Sequence, residues 1–344
     1  MMRVIFFLIG FIFTQSAAAQ ILGGETIGNL TEPIDPQRML DHHLYGVAWG
    51  NGQFVAVGSG SFNETEVLLS ADGSRWNKVS LGTAVRPLSL SRDGAGVLSG
   101  IAWNGSTFVA AGERILTSAD GKSWTVSTFF PMCTFTRVAA QEAMFVAVGG
   151  DYDGTGCIAT SPDGRTWTER TSSLEGNAAV LSGVMWTGST FVAVGNTDRG
   201  KSGMSTVLLT SRDGVTWARQ LGTGDQLADV ARNGPLFVAV GSHRRRGVIF
   251  TSPDAKTWTE STTRVSDPLC AVLWNGSLFV AVGLHGALFT SPDGMTWTSR
   301  KSHTTRDLLS IAWNGSLFVV VGEGAILTSA EGVAWKDFGD SRYS

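Results

Sequence analysis

The segment SPDGRTW, residues 161–167, is one of seven similar segments that divide the chain into regular repeats. Five follow the pattern SxDGxxW and two differ from it at one position, and successive tryptophans are 48, 43, 50, 41, 39 and 38 residues apart. This spacing is typical of a four-stranded β unit and longer than a helical-hairpin repeat. The segments are SADGSRW (70–76), SADGKSW (118–124), SPDGRTW (161–167), SRDGVTW (211–217), SPDAKTW (252–258), SPDGMTW (291–297) and SAEGVAW (329–335).

A second pattern precedes each segment, as in VAWGNGQFVAVG at residues 47–58. The two halves together predict four antiparallel strands, because Asn-Gly and Asp-Gly between β-rich runs are strong hairpin signals. The apolar runs lack clean alternation, which indicates sheets buried on both faces. Seven such sheets bury their faces by stacking into a closed ring. We therefore predict an all-β, seven-bladed β-propeller of four-stranded antiparallel blades over residues 41–340.

The SxDGxxW segment has an evident structural role. Its aspartate and serine can accept hydrogen bonds from amides of their own turn, its glycine supplies the unusual backbone angle, and its tryptophan covers the hairpin. Ala255 replaces the glycine in the fifth copy and Glu331 the aspartate in the seventh, changes that a structural turn tolerates better than a catalytic site does. We interpret all seven acidic residues as structural: Asp72, Asp120, Asp163, Asp213, Asp254, Asp293 and Glu331.

The motif resembles the Asp-box, or BNR, repeat of sialidases, xyloglucan-degrading glycosidases, several lectins and the photosystem II assembly factor family with its WD40/YVTN-like relatives. The resemblance spans residues 44–338. It implies a propeller whose Asp-boxes lie in the turn between the third and fourth strands, away from the ligand site. It is specific for the fold and does not specify the function.

The first residues predict export. Arg3, the apolar run at residues 4–13 and the small residues at 17–19 are typical of a cleaved signal peptide over residues 1–19. Residues 20–40 then form a leader of undetermined role. No later stretch is long and apolar enough for an integral membrane segment after cleavage. We expect a secreted or periplasmic protein, and a monomer.

Composition limits the chemistry further. The formal net charge of −3 over 344 residues provides no general cationic field, so no nucleic-acid partner is predicted. The three cysteines allow one disulfide and one free thiol. Cys133 and Cys157 are nearest in sequence, but first and third strands are about 10 Å apart, so we leave their pairing open. No spacing indicates a metal, and no cofactor is predicted.

In each four-stranded blade, the short turns between strands one and two and between strands three and four lie at one end of the ring. The loops between strands two and three and the links between blades lie at the other end, and the candidate binding residues lie there. Variable loops on a rigid scaffold usually carry binding. Arg137 and Asp229 occupy ring-lining positions, where the alternative is a charge-paired channel. The remaining candidates come from loops, which also attract polar residues without binding anything: Tyr152, His43, His243, His285 and His303.

We therefore predict a non-catalytic binding or assembly scaffold that presents its loops to a protein or glycan. A sialidase-like or other glycoside hydrolase is the catalytic alternative. It is disfavoured because the chain has only three tyrosines, lacks the Arg-Ile-Pro signature of sialidases and has seven repeats where sialidases have six. A propeller lectin is the third possibility, and the sequence does not separate it from a protein-binding scaffold.

Overall fold

A computed structural model describes residues 26–27, 31–60, 64–81, 97–129, 133–151, 153–170, 179–197, 205–220 and 224–338. The described residues form seven antiparallel sheets that each contain four consecutive strands, which confirms the predicted seven-bladed propeller. Two of the sheets have a fifth strand, contributed by the leader. Two short leader strands, β1 (Thr26–Ile27) and β2 (Thr31–Pro33), precede the ring.

The strands of the first four blades run from the channel outward in chain order. Blade one contains β3 (His43–Gly50), β4 (Gln53–Ser59), β5 (Thr65–Ser70) and β6 (Asn77–Val79). Blade two contains β7 (Leu98–Trp103), β8 (Phe108–Gly112), β9 (Arg114–Ser118) and β10 (Trp124–Phe129). Blade three contains β11 (Cys133–Gln141), β12 (Met144–Asp151), β13 (Gly156–Ser161) and β14 (Thr168–Arg170). Blade four contains β15 (Val180–Trp186), β16 (Phe191–Thr197), β17 (Ser205–Ser211) and β18 (Ala218–Gln220).

The remaining three blades repeat this order. Blade five contains β19 (Gln226–Arg232), β20 (Phe237–His243), β21 (Arg246–Ser252) and β22 (Thr259–Glu260). Blade six contains β23 (Leu269–Trp274), β24 (Phe279–Gly283), β25 (Leu288–Ser291) and β26 (Thr298–Ser299). Blade seven contains β27 (Leu308–Trp313), β28 (Phe318–Gly322), β29 (Ala325–Ser329) and β30 (Lys336–Asp337).

The core lies between the blades. Seven clusters of buried apolar side chains each join two neighbouring blades around the ring. The second strands are buried along almost their whole length, as in β8 and β24. Continuous apolar runs therefore reflect sheets with a neighbour on both faces.

Blades seven and one share no strand, because each is built from its own continuous segment of the chain. Contacts between the two blades therefore close the ring. The Gly324 amide donates to the His42 carbonyl at 2.7 Å, and His43 pairs with Glu323 in an isolated β-bridge. Val319 and Val321 of blade seven share one apolar cluster with blade one.

The leader is attached to the ring. β2 pairs with the outer strand β6 of blade one, and β1 pairs with β10 of blade two. A 3-10 turn at Pro36–Asp41 follows, and its Met39 side chain is 1% exposed in the cluster between blades seven and one. The leader thus covers outer strand edges that would otherwise be open to pairing with other chains.

The SxDGxxW turn forms the hydrogen bonds that its residues predict. In blade three, the Asp163 carboxylate accepts the Arg165 and Thr166 amides, each at 2.8 Å. The Gly164 amide donates to Ser161 Oγ at 2.8 Å, and its carbonyl accepts the Trp167 indole N–H at 2.7 Å. The copy with Glu331 keeps the equivalent serine and indole bonds, at 2.9 and 3.1 Å.

The turn is also a contact between blades, which sequence analysis did not predict. Gly164 has φ +75°, and a Cβ placed there would lie 2.7 Å from Val109 Cγ2 of blade two. A Cβ placed on Gly294 of blade six would likewise lie 2.9 Å from side-chain carbons of Leu236 and Val238 in blade five. Each of these turns therefore rests against the preceding blade, and glycine satisfies both the backbone angle and the close approach.

The amides of the turn stabilise its ionised aspartate. Hydrogen bonds from the Thr216 and Val215 amides, followed by that from Ser211, lower the pKa of Asp213 to about 2. An unfolded aspartate has a pKa of about 3.9. Between these values the unfolded chain binds the proton more tightly than the folded chain. The stabilisation is therefore complete above about pH 4 and is lost as the pH falls towards 2.

We predict that Asp213→Asn lowers stability at pH 7 and that the difference from the wild type narrows as the pH falls from 5 to 2. The narrowing follows because the wild-type carboxylate becomes protonated over that range and loses the same interaction. Urea unfolding at several pH values measures the free energy of unfolding of both proteins. A difference that stays constant with pH would contradict this account of the turn.

Candidate functional site

The two ends of the ring differ. We call the end that carries the SxDGxxW turns the turn end, and the opposite one the loop end. The short turns between first and second strands share the turn end, since the Asn51 side chain donates to the Ala119 carbonyl in the next blade's SxDGxxW turn at 3.3 Å. The loop end carries the second-to-third-strand loops and the links between blades, as predicted from the sequence.

Histidine–carboxylate pairs occur at the loop end. His42 lies 2.7 Å from Glu66 in blade one, and Glu66 also lies 3.2 Å from Lys78. His243 pairs with Asp225 in blade five. His285 lies 2.9 Å from Asp267, and its amide donates to the Asp307 carboxylate at 2.8 Å. These carboxylate partners were not predicted from the sequence.

These pairs do not form a common centre. His243 is the last residue of the second strand in blade five, and His285 follows the second strand in blade six. Each contacts an aspartate just before the first strand of its own blade. Within the described ranges, no three His, Cys, Asp or Glu side chains are placed to share a metal ion.

The other loop-end candidates are spread along the rim. His43 begins β3, where its backbone helps to close the ring. His303 lies in the link between blades six and seven with φ +62°. Tyr152 lies outside the described residues, as do residues 82–96, 171–178 and 198–204.

Arg137 reaches across the central channel. Its guanidinium donates to the carbonyls of Ser99 at 3.1 Å, Thr136 at 3.0 Å and Leu309 at 3.2 Å. These three residues sit at the register shift that interrupts the innermost strands of blades two, three and seven. A bulge of this kind leaves a carbonyl without a strand partner. One arginine thus connects three blades.

Asp229 has a similar role on blade five. Its carboxylate accepts the amides of Val230 at 2.9 Å and of Val272, in blade six, at 3.0 Å. Burial raises the pKa of Asp229, while the charge of Arg137 and the two amides oppose this shift. Arg137 and Asp229 thus both bind backbone groups of neighbouring blades.

The cysteines also lie on the loop side of the inner strands. Cys133 and Cys157 are joined by a disulfide with a Cα–Cα distance of 6.2 Å, across the Gly149 and Gly150 end of β12. The sequence left this bond open because it did not show how far the strand ends converge. Cys270 has a free thiol whose pKa burial raises to about 11, so it is a poor nucleophile at neutral pH.

A groove at the turn end, between blades four and five, was missed by sequence analysis. We call it the blade 4/5 groove; its volume is about 580 Å³. Arg232 lines it at the position where five other blades have tryptophan. Ala255, which replaces the glycine of the turn, also lines it. These two departures from the repeat are the sequence features that could have indicated the groove.

A family model described as the DUF6242 beta propeller domain matches residues 221–342, which contain blades five to seven. The chain is a β-propeller protein. The match covers about a third of its length and does not test the Asp-box assignment. Comparison with curated proteins gives no match. Among the residues described, no helix is long and apolar enough to span a bilayer.

Solved structures agree on the fold. A β-propeller domain of Myceliophteria thermophila Cps50 (Swd1) gives a TM-score of 0.53 at 13% identity, covering 88% of this chain and 99% of that one. A puromycin hydrolase mutant complexed with PGG gives a TM-score of 0.60 at 12% sequence identity, and the match covers 91% of this chain and 56% of that one. A chain of a nidogen/laminin complex gives a TM-score of 0.50 at 11% sequence identity, and the match covers 78% of this chain and 98% of that one. Identities this low show the fold alone.

We predict that Arg137→Met lowers the free energy of unfolding by about 3 kcal/mol, because the bulge carbonyls lose a charged donor and Asp229 loses its opposing charge. Chemical denaturation measures this change. If stability were unchanged and binding of a partner were lost instead, Arg137 would be a ligand-binding residue and its structural role would be refuted.

Proposed function

We propose that this chain is an exported, non-catalytic β-propeller that binds a protein or glycan at its loop end. The observation that carries the proposal is the distribution of ionisable side chains there. They pair within single blades, as in His42–Glu66, His243–Asp225 and His285–Asp267. A catalytic centre requires such groups to converge on one reacting atom. Pairs spread around a rim provide an extended polar surface for macromolecular recognition.

The hairpin between β20 and β21 is a charged feature of the described part of that surface. Its tip consists of the exposed residues Arg244 and Arg245. The His243–Asp225 pair holds one side of the base, and Arg246 holds the other through Glu260 at 3.0 Å. Two cations on a fixed hairpin favour a partner that carries acidic groups.

Export is supported by two independent features. Residues 1–19 have the pattern of a cleaved signal peptide. The Cys133–Cys157 disulfide is the kind of bond that persists in oxidising compartments. We accordingly place the mature protein in the periplasm or outside the cell.

We further infer that the SxDGxxW turns are Asp-box repeats. They join the third and fourth strands of their blades, the position that this family gives to the motif, and they lie at the end of the ring opposite the binding surface proposed here.

The test compares loop-end and turn-end cations with one assay. Envelope extract and a glycan array are probed with the wild type, with Arg244→Ser/Arg245→Ser, and with the control Lys122→Ser/Arg165→Ser, which removes two exposed cations from the turn end. We expect the wild type and the control to retain a defined partner and the loop-end variant to bind it about tenfold more weakly. Equal binding by all three proteins, or turnover of a fluorogenic glycoside, would refute the proposal.

A further inference from the structure

We propose that the blade 4/5 groove is a second binding site, independent of the loop end, which takes a small hydroxylated carboxylate such as a sugar acid. The central group is Arg232. In the other blades with a tryptophan at this position, the indole packs on the phenylalanine five residues later, as Trp274 packs on Phe279 at 4.5 Å. In blade five the Arg232 guanidinium lies over Phe237 at 4.8 Å and takes that place.

The hydrogen-bonding capacity of Arg232 is only partly used by the protein. One terminal nitrogen donates to the Thr187 carbonyl of blade four at 3.3 Å. Its Nε is buried without a hydrogen-bond partner. Within the described ranges, no carboxylate forms an ion pair with this guanidinium. A carboxylate is a well-matched ligand for such a guanidinium, because the terminal nitrogens can donate two parallel hydrogen bonds to it.

The SxDGxxW turn of blade five is altered at the same junction. Ala255 has φ +58°, a region that alanine rarely adopts. In the six other turns the indole N–H donates to the carbonyl of the turn's glycine. The Trp258 Nε1 is instead buried without a partner, and Trp258 is only half-buried. The groove therefore lies where both halves of the repeat have changed.

The charge of the groove favours an anion. Arg212 and Lys256 line it beside Arg232. Its two carboxylates, Asp213 and Asp254, are already bound: each accepts two amides of its own turn at 2.8 to 2.9 Å and a serine hydroxyl. The groove thus has three cationic side chains and two carboxylates that already accept hydrogen bonds from the protein, and its net positive charge favours an anionic ligand.

The remaining walls determine the rest of the ligand. Hydroxyl and amide side chains predominate among them, including Thr187, Ser189, Thr190, Thr210 and Gln220. These groups can donate to and accept from the hydroxyls of a sugar. The volume of about 580 Å³ is in the range of small-molecule sites. Cations combined with a hydroxyl-rich wall point to a sugar acid and not to a simple inorganic anion.

The experiment is isothermal titration calorimetry on the full chain with D-glucuronate, D-glucose, acetate and an oligogalacturonide. We expect glucuronate to bind at least about tenfold more tightly than glucose and acetate, since only it offers both the carboxylate and the hydroxyls. Tighter binding of the oligogalacturonide identifies a polysaccharide as the source of the acid, and equal binding identifies the free sugar acid. Failure of both acids to bind at millimolar concentration would overturn the proposal.

Two variants locate the site. Arg232→Trp restores the residue found at this position in five other blades, and it should reduce acid binding at least about tenfold while the thermal midpoint holds or rises. Lys256→Ala should weaken binding about threefold or more. Its matched control is Arg165→Ala, at the equivalent position in blade three, which should bind as the wild type does. Acid binding that survives both groove variants would place the ligand elsewhere and refute the assignment.

Discussion

The ring depends on the contact that each SxDGxxW turn makes with the blade before it. The indole N–H of the final tryptophan binds the carbonyl of the turn's glycine, which fixes a large apolar side chain in the interface. The same glycine lies so close to the preceding blade that a side chain would collide with it. Six of the seven turns make this indole bond, and the fifth, with Ala255 and Trp258, does not. Because blades one and seven share no strand, packing between blades also closes the ring.

This constraint determines where variation is tolerated. Turns that hold two blades together cannot also move to accommodate ligands, so the turn end is uniform in most blades. Variation is found at the loop end, where histidine–carboxylate pairs and the Arg244 hairpin occur. It also occurs at the junction of blades four and five, where Arg232 and Ala255 replace the tryptophan and the turn glycine of the repeat. Both proposed binding surfaces follow from this division.

The sequence predicted the features that the repeat encodes. Blade number, strand order, the chain segment of each hairpin and the end that carries the loops all follow from a pattern repeated seven times. It could not predict contacts that depend on the curvature of the ring. Arg137 and Leu309 are 172 positions apart and meet only because the channel brings blades three and seven within reach. The convergence of Cys133 and Cys157 likewise depends on how strand ends bend.

The blade 4/5 groove shows a different limit. Arg232 and Ala255 were visible in the sequence as departures from the repeat, but a departure alone does not distinguish a tolerated change from an opened site. The distinction depends on the buried, unpartnered nitrogens of Arg232 and Trp258, which arise only in the folded protein. The partner of β2 was also unpredictable, because three leader residues carry no repeat signal.

The most direct test of the turn contact is to make one substitution at two positions and compare the losses of unfolding free energy. Trp167→Phe removes an indole N–H that binds the Gly164 carbonyl at 2.7 Å, whereas Trp258→Phe removes one that has no partner. We predict that Trp167→Phe costs about 1 to 2 kcal/mol more than Trp258→Phe, the worth of one buried hydrogen bond. Equal losses at the two positions would show that the indole bond does not stabilise the ring and would contradict the account.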